Sequence, residues 1–281
     1  VRKSGLFRQR KILSLVLLTI LSGVLSVGCR PKIVRVPVPE KDILRANAIA
    51  QEADSAFGHK DYYAALIKYL EALRLNPYNE YILNRLGLAY SQLKFFNEAG
   101  EAFKRAIDLN PKLPYAYNNL GSVYFAQQNL GKAEKYFKKA IHMDRDEASF
   151  HMNLGALYLE KKKPKKALEE WRRALAIDPD AFSKSSAVSL PSGGRSSPKE
   201  RSYFFARVYA SEGDVEAAIN SLKLAFTQGF SDIEAIETQP DFNPIRKDER
   251  FVEFMKNLSL LIKLRSNVGL PGDTSVMEPI K

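Results

Sequence analysis

Cysteine is almost absent from this sequence of 281 residues. Cys29 stands alone, which excludes an intrachain disulfide and any multi-cysteine metal site. Histidine is nearly as sparse. His59, His142 and His151 have no i, i+3 or i+4 spacing to one another or to the cysteine, whereas a metal site needs three or four converging ligands. Packing or solvated roles are expected of them. There is no Gly-rich phosphate loop and no nucleophile elbow, and Gly193-Gly194 lies in a serine-rich stretch rather than between a strand and a helix. Nothing argues for an enzyme, so no catalytic residue, cofactor or metal is expected. Acidic residues are missing before residue 29, where Arg2, Lys3, Arg8, Arg10 and Lys11 all lie. Without those five the net charge of +11 would fall to +6, so the basic balance is partly a targeting feature and not a nucleic-acid footprint.

What the N-terminus does contain is a basic stretch, the apolar run Ile12–Val27, and then Gly28-Cys29. A charged region, a short apolar core and small residues at its end describe a secretory signal, and the run is short for a membrane span of about 20 residues. The sole cysteine after glycine resembles the bacterial lipobox, although Ser26 stands where leucine is usual. That resemblance implies cleavage before Cys29 and lipidation of Cys29, and Arg30 after it implies the outer membrane. The alternative is an uncleaved signal anchor in the inner membrane. Either way the rest of the chain is expected in the cell envelope, facing the periplasm and tethered to a membrane. Pro31–Lys41, rich in proline, reads as an extended spacer from the lipidated cysteine, so 29–41 is a tether.

The middle of the chain repeats. Leu86-Gly87, Leu120-Gly121 and Leu154-Gly155 are 34 residues apart, each followed by a tyrosine (Tyr90, Tyr124, Tyr158). Ala99, Ala133 and Ala167 come next, then Phe103, Phe137 and Trp171, then Ala106, Ala140 and Ala174. Pro111 and Pro179 close two copies, and Arg145 takes that place in the third. This skeleton resembles the tetratricopeptide repeat. The resemblance implies an all-α fold, a superhelical solenoid of helix–turn–helix units with a concave groove lined by the first helix (A) of each pair. Copies are expected at 46–79, 80–113, 114–147 and 148–181. The first is degenerate in its A helix but keeps Ala65, Tyr69, Ala72 and Pro77 in frame. Helical patterning starts near Asp42, a candidate N-cap. Small residues at Gly87, Gly121 and Gly155 are expected where helix A meets the second helix (B).

The stretch 182–198 is rich in Ser, Gly and Pro and reads as a flexible linker. The frame returns at Ala218, Leu222 and Ala225, one period plus 17 residues after Ala167, so 199–265 is expected to hold a divergent repeat and capping helices. Phe242, Ile245, Phe251 and Phe254 would close the apolar end of the array. Residues 266–281 read as a disordered tail.

Two surfaces are candidates for function. Carrying the family's ligand-facing positions over residue by residue gives Tyr81, Asn84, Arg85, Leu88 and Gln92, then Tyr115, Asn118, Asn119, Ser122 and Phe125, then Ser149, Met152, Asn153 and Leu159. Asn84, Arg85, Tyr115, Asn118, Asn119, Phe125, Met152 and Asn153 form the expected peptide groove. Asn119 and Asn153 share one repeat position, and stacked amides could pair with a peptide backbone of any sequence. The clamp by which chaperone-binding relatives hold a C-terminal carboxylate is missing: Asn84, Leu88, Ser149 and Asn153 stand there, and Asn119 alone matches. The second surface is Lys161, Lys162, Lys163, Lys165 and Lys166, a basic turn for an acidic partner or a lipid headgroup, or simply a solvated turn. It has no interleaved aromatics to stack on bases, so nucleic acid is not expected. The layout resembles lipoproteins that assist pilus or secretion complexes. A recruiter of peptidoglycan-modifying enzymes and a lipid-surface protein are the alternatives.

Overall fold

The structure is a computed structural model and describes residues 35–184 and 197–267. The signal, the lipidated cysteine and most of the tether expected before residue 35 lie outside the described residues, as do most of the serine-rich stretch and the tail after 267. Among the described residues there is no strand, and no helix is long and apolar enough to cross a membrane.

The fold is an α-solenoid of consecutive antiparallel hairpins. They are α1 (Glu40–Gly58) with α2 (Tyr62–Leu75), α3 (Glu80–Gln92) with α4 (Phe96–Leu109), α5 (Pro114–Ala126) with α6 (Leu130–Met143), and α7 (Ala148–Glu160) with α8 (Pro164–Ile177). A helical turn, α9 (Ala181–Lys184), precedes the last pair, α10 (Pro198–Ser211) and α11 (Val215–Thr227). Then follow α12 (Ile233–Thr238), a short 3-10 turn at Pro240–Phe242, and α13 (Glu249–Asn267).

Close approach within the three middle hairpins rests on the glycines. A Cβ at Gly87 would stand 2.5 Å from Phe103 Cε1, and one at Gly121 would stand 2.7 Å from Phe137 Cδ1. At Gly155 it would stand 2.4 Å from Trp171 Nε1. Phe103, Phe137 and Trp171 are fully buried, and each of these rings occupies the space that a Cβ on the facing glycine would need. One turn earlier on the same B helices, Ala99, Ala133 and Ala167 are also fully buried.

Two turn devices recur with the same period. Between A and B, one residue adopts a left-handed backbone: Lys60, Lys94, Gln128 and Lys162, each 34 residues from the last, with φ of 63, 63, 60 and 55°. Gly213 does the same in the last pair, 51 residues after Lys162, which is the interval from Ala167 to Ala218. Between repeats, a side-chain oxygen at the end of helix B accepts from the amide two residues on: Asn76 from Tyr78, Asn110 from Lys112, Asp144 from Asp146 and Asp178 from Asp180. This turn is closed by the Asx side chain, so Arg145 can replace proline in the third copy.

Three boundaries differ from expectation. Helix α1 starts at Glu40 rather than being capped by Asp42, because Pro39 (φ −57°) directs the chain into the first turn, where Glu40 and Asp42 complement the helix dipole. The stretch expected as linker from 182 begins later. Ala181–Lys184 are helical, and Phe182 is buried, with its ring stacked on Phe205 at 4.3 Å. Its far end is also structured: Ser197 caps α10 in a reciprocal pair with Glu200, and Pro198 is the first helical residue. Phe242, Ile245 and Phe251 are buried and Phe254 packs on the same cluster, covering the end of the array. Asp241 fastens this end across the displaced interval. Its carboxylate accepts from Arg172 of α8 at 2.9 Å and from Arg207 of α10 at 2.8 Å.

Candidate functional site

Each A helix packs on its own B helix and also touches the A helix of the next repeat: α1 on α3, α3 on α5, α5 on α7. The A row is therefore the tighter, inner row, and each B helix is wedged outside it against the following A helix.

The residues carried to this inner row do not all present themselves. Asn118, Phe125, Met152 and Asn153 are buried; Phe125 and Met152 belong to the apolar cluster around Trp171. Asn84, Arg85 and Asn119 are half-buried, and Tyr81 and Tyr115 are exposed at 52% and 45%. The expected ladder between Asn119 and Asn153 is replaced by two diagonal pairs. Asn119 Nδ2 donates to Asn84 Oδ1 at 3.0 Å, and Asn153 Nδ2 donates to Asn118 Oδ1 at 3.0 Å. The partners are 35 residues apart, not 34. The sixth position of one copy thus meets the fifth position of the copy before it. Each amide keeps one donor or acceptor in its pair and retains further hydrogen-bonding capacity.

Arg85 is not a free groove cation. Its Nε donates to Asp54 Oδ1 at 2.7 Å and to the Tyr69 hydroxyl at 3.2 Å, and its guanidinium lies 4.8 Å over the Phe57 ring. The Tyr69 hydroxyl also donates to Asp54 Oδ1, and the Tyr81 hydroxyl donates to Oδ2 at 2.6 Å. Burial opposes the charge on Asp54, but the hydrogen bonds from Tyr69, Tyr81 and Arg85 outweigh it and hold the carboxyl below its ordinary value. Burial first, and then the bond to Asp54, push the Tyr69 phenol well up. This four-residue cluster joins the first two repeats. Sequence reasoning missed it, although one signal was present: Tyr69 occupies the core position that carries Phe103, Phe137 and Trp171 elsewhere, and its hydroxyl needs an acceptor.

Tyr115 is steered by the next repeat. Its hydroxyl donates to Glu147 Oε2 at 2.6 Å and its ring meets Phe150 edge-on at 5.2 Å. The hydrogen bond to Glu147 and then burial push the Tyr115 phenol up to about 12. His151 is buried. Nδ1 lies 2.7 Å from Glu170 Oε2, and Nε2 lies 3.1 Å from the Arg145 carbonyl. Tyr117, one period earlier, reaches the Pro111 carbonyl in the same way at 3.2 Å. Both side chains thus fasten the inter-repeat turn to the following A helix. No group of three or more metal-ligating side chains occurs among the described residues.

The basic turn is divided. Lys161 Nζ lies 2.5 Å from Glu134 Oε2, and Lys138 meets Oε1 of the same carboxylate at 2.7 Å. Burial raises the Glu134 pKa, but the two lysines override it and hold the carboxyl at about 2. Lys162, Lys163, Lys165 and Lys166 are exposed, with Lys166 Nζ at 5.7 Å from the Tyr158 ring. Lys161 therefore belongs to the hairpin joint rather than to a lysine patch.

Two family models, both described as tetratricopeptide repeat, match residues 78–146 and 118–182. No curated protein matches the chain. Solved structures that resemble it include TTC0263, a thermophilic TPR protein in Thermus thermophilus, at 21% identity over 68% of this chain and 95% of that one, with a TM-score of 0.49. A crystal structure of MamA matches at 23% identity over 63% of this chain and 93% of that one, TM-score 0.44. The first TPR of Spaghetti (RPAP3), bound to the HSP90 peptide SRMEEVD, matches at 22% identity over 46% of this chain and 99% of that one, TM-score 0.42.

Proposed function

Residues 78–182 are tetratricopeptide repeats, and from that premise we propose that the chain is a non-enzymatic, membrane-anchored scaffold whose inner face binds an extended protein segment. The observation that carries this reading is the run Tyr81, Asn84, Asn119 and Tyr115. It puts two exposed rings and one half-buried amide pair on adjacent A helices. Amides bond peptide groups of any sequence, and the rings supply apolar contact at low entropic cost. Arg85, the cation among these groove residues, is held by Asp54, so recognition of an acidic tail is not favoured. Lipidation of Cys29 supplies the anchor, and the outer membrane facing the periplasm is the favoured address. Assembly of an envelope complex of pilus or secretion type is the favoured process, with recruitment of peptidoglycan-modifying enzymes as the other reading.

Pull-down from detergent-solubilised envelope with the whole chain tests the binding reading. One protein should be retained by the parent and lost with Asn119→Glu. Retention of the same proteins by both would count against an inner-face site. Labelled fatty acid should enter the parent chain and not Cys29→Ser.

A further inference from the structure

Along the 34-residue period the outer row of B helices changes sign. Helix α6 carries Lys132, Lys135, Lys138 and Lys139 against one acid, Glu134. In α4 the positions of Lys132 and Lys135 hold Glu98 and Glu101, and in α11 the positions of Lys165 and Lys166 hold Glu216 and Ala217. The basic stretch is therefore bounded on both sides. It is also continuous from the third hairpin to the fourth. Lys138 and Lys161 share the Glu134 carboxylate, and Lys138 and Lys166 lie 6.0 and 5.7 Å from the Tyr158 ring. The acids of these elements are engaged or half-buried: Glu134 by those two lysines, Glu169 and Glu170 by Arg173, while Glu160 is half-buried. Asp144 and Asp146 lie past the C-terminal end of α6, in the inter-repeat turn.

A surplus of cations remains. Lys132, Lys135 and Lys139 on α6, with Lys162, Lys163, Lys165 and Lys166 around the start of α8, are exposed and have no ion-pair partner among the described residues. Rings steer two of them. Tyr136 is stacked between Tyr124 at 5.4 Å and Tyr117 at 6.4 Å, with Lys132 Nζ 5.1 Å over Tyr124 and Lys139 Nζ 4.3 Å over Tyr117. Such a contact orients an ammonium group without cancelling its charge. A shaped phosphate or carboxylate site favours the arginine fork, whereas lysine is a hydrated point charge that suits a diffuse array of anions. Here the uncompensated cations are all lysines, spread over two hairpins. Nucleic acid fits less well, because Tyr117 and Tyr158 are buried and leave no open face on which a base could stack. We propose that the α6–α8 side of the array lies on a bilayer rich in anionic headgroups, each lysine adding to the attraction. The A row, on the other side of the hairpins, then faces away from the bilayer and stays open to a protein partner.

Trp171, the only tryptophan of the chain, reports how near α8 stands to a membrane. The full chain is reconstituted with vesicles of phosphatidylcholine, or of phosphatidylcholine with phosphatidylglycerol, each carrying a dansyl-labelled lipid. Energy transfer from Trp171 should be several-fold greater with phosphatidylglycerol and should fall to the phosphatidylcholine level in high salt. Lys132→Glu with Lys135→Glu gives α6 the residues that α4 carries at these positions, so folding is retained, and it should abolish the difference. Lys112→Glu with Lys223→Glu makes the same change of charge elsewhere and should leave it. Equal transfer with the two vesicles, a difference that survives high salt, or equal loss with the Lys112 and Lys223 pair would each overturn the proposal. Equal transfer together with capture of a single-stranded oligonucleotide would assign the surface to nucleic acid instead. The proposal stands apart from the lipid anchor. A chain that fails to float with phosphatidylcholine vesicles would refute the anchor alone, and its flotation with phosphatidylglycerol vesicles should still be lost in high salt and with the α6 pair; no flotation with those vesicles either would overturn the proposal.

Discussion

Gly155→Ala and Gly100→Ala make the same chemical change in the interior of a helix, yet should move stability in opposite directions. Intrinsic propensity favours alanine at both sites by about 1 kcal/mol. At Gly155 the new Cβ would stand 2.4 Å from Trp171 Nε1 and 2.5 Å from Cδ1, roughly 1 Å inside ordinary contact. The indole cannot simply yield. It is fully buried, and its Nε1–H donates to the Met152 carbonyl at 3.1 Å. Overpacking costs about 1–3 kcal/mol, and loss of the indole hydrogen bond about 1 kcal/mol more. After the propensity gain, Gly155→Ala should destabilise by about 1–3 kcal/mol. At Gly100 the nearest atom is 3.6 Å away, so the propensity gain stands and the variant should be stabilised by up to about 1 kcal/mol. Urea titration followed by helix dichroism, with Trp171 fluorescence as the local probe at the first site, measures both midpoints. If the two variants shift the same way, the account of these glycines as bare contact points between A and B helices is wrong.

Four further outcomes follow from the geometry. Lys94→Gly relieves a left-handed backbone and should be neutral to stabilising by up to about 1 kcal/mol, while Gly213→Ala should destabilise by about 1 kcal/mol or more; thermal melts of the pair read both signs. Tyr69→Phe removes a donor to a partly buried carboxylate and should cost about 1–2 kcal/mol in chemical denaturation, a loss that no change at all would refute. Folding holds the Glu134 carboxyl at about 2, below its ordinary 4.5. Its ion pairs therefore stabilise fully above 4.5 and lose their contribution as pH falls toward about 2. Glu134→Gln should be less stable than the parent near neutrality, and the gap should close over that acidic window; a gap that stays constant with pH would assign the effect to packing.

The period, the helical hairpins and the glycine contacts were legible because each residue's role repeats in register: Gly87, Gly121 and Gly155 meet the rings the spacing places opposite them. The left-handed turn was not legible. Lys60, Lys94, Gln128 and Lys162 occupy a conformation usually marked by glycine, and only Gly213 carries that mark. The inner face was legible as a set of positions but not as a surface. A repeat position says which way a side chain leaves its helix, not whether the next repeat covers it, and so Phe125 and Met152 proved to be core. The amide pairs join different repeat positions, the sixth of one copy and the fifth of the copy before, and so fall one residue off the period. Around Asp54 the first repeat has lost Leu-Gly and tyrosine, so the frame gave no guide there. The polar cluster that ties it to α3 is visible only when Tyr69, Tyr81 and Arg85 converge in space.

The central claim, that the inner face of the array binds a protein segment, is tested most directly by photo-crosslinking the full chain in solubilised envelope, with the probe placed at Tyr115 or Ser122 on the inner row and at Lys135 or Lys139 on α6 outside it. The account predicts one common partner captured from both inner positions, lost when Asn119→Glu is added, and not captured from the outer ones. Capture of that partner from the outer positions alone, or from the inner ones undiminished by Asn119→Glu, would contradict it.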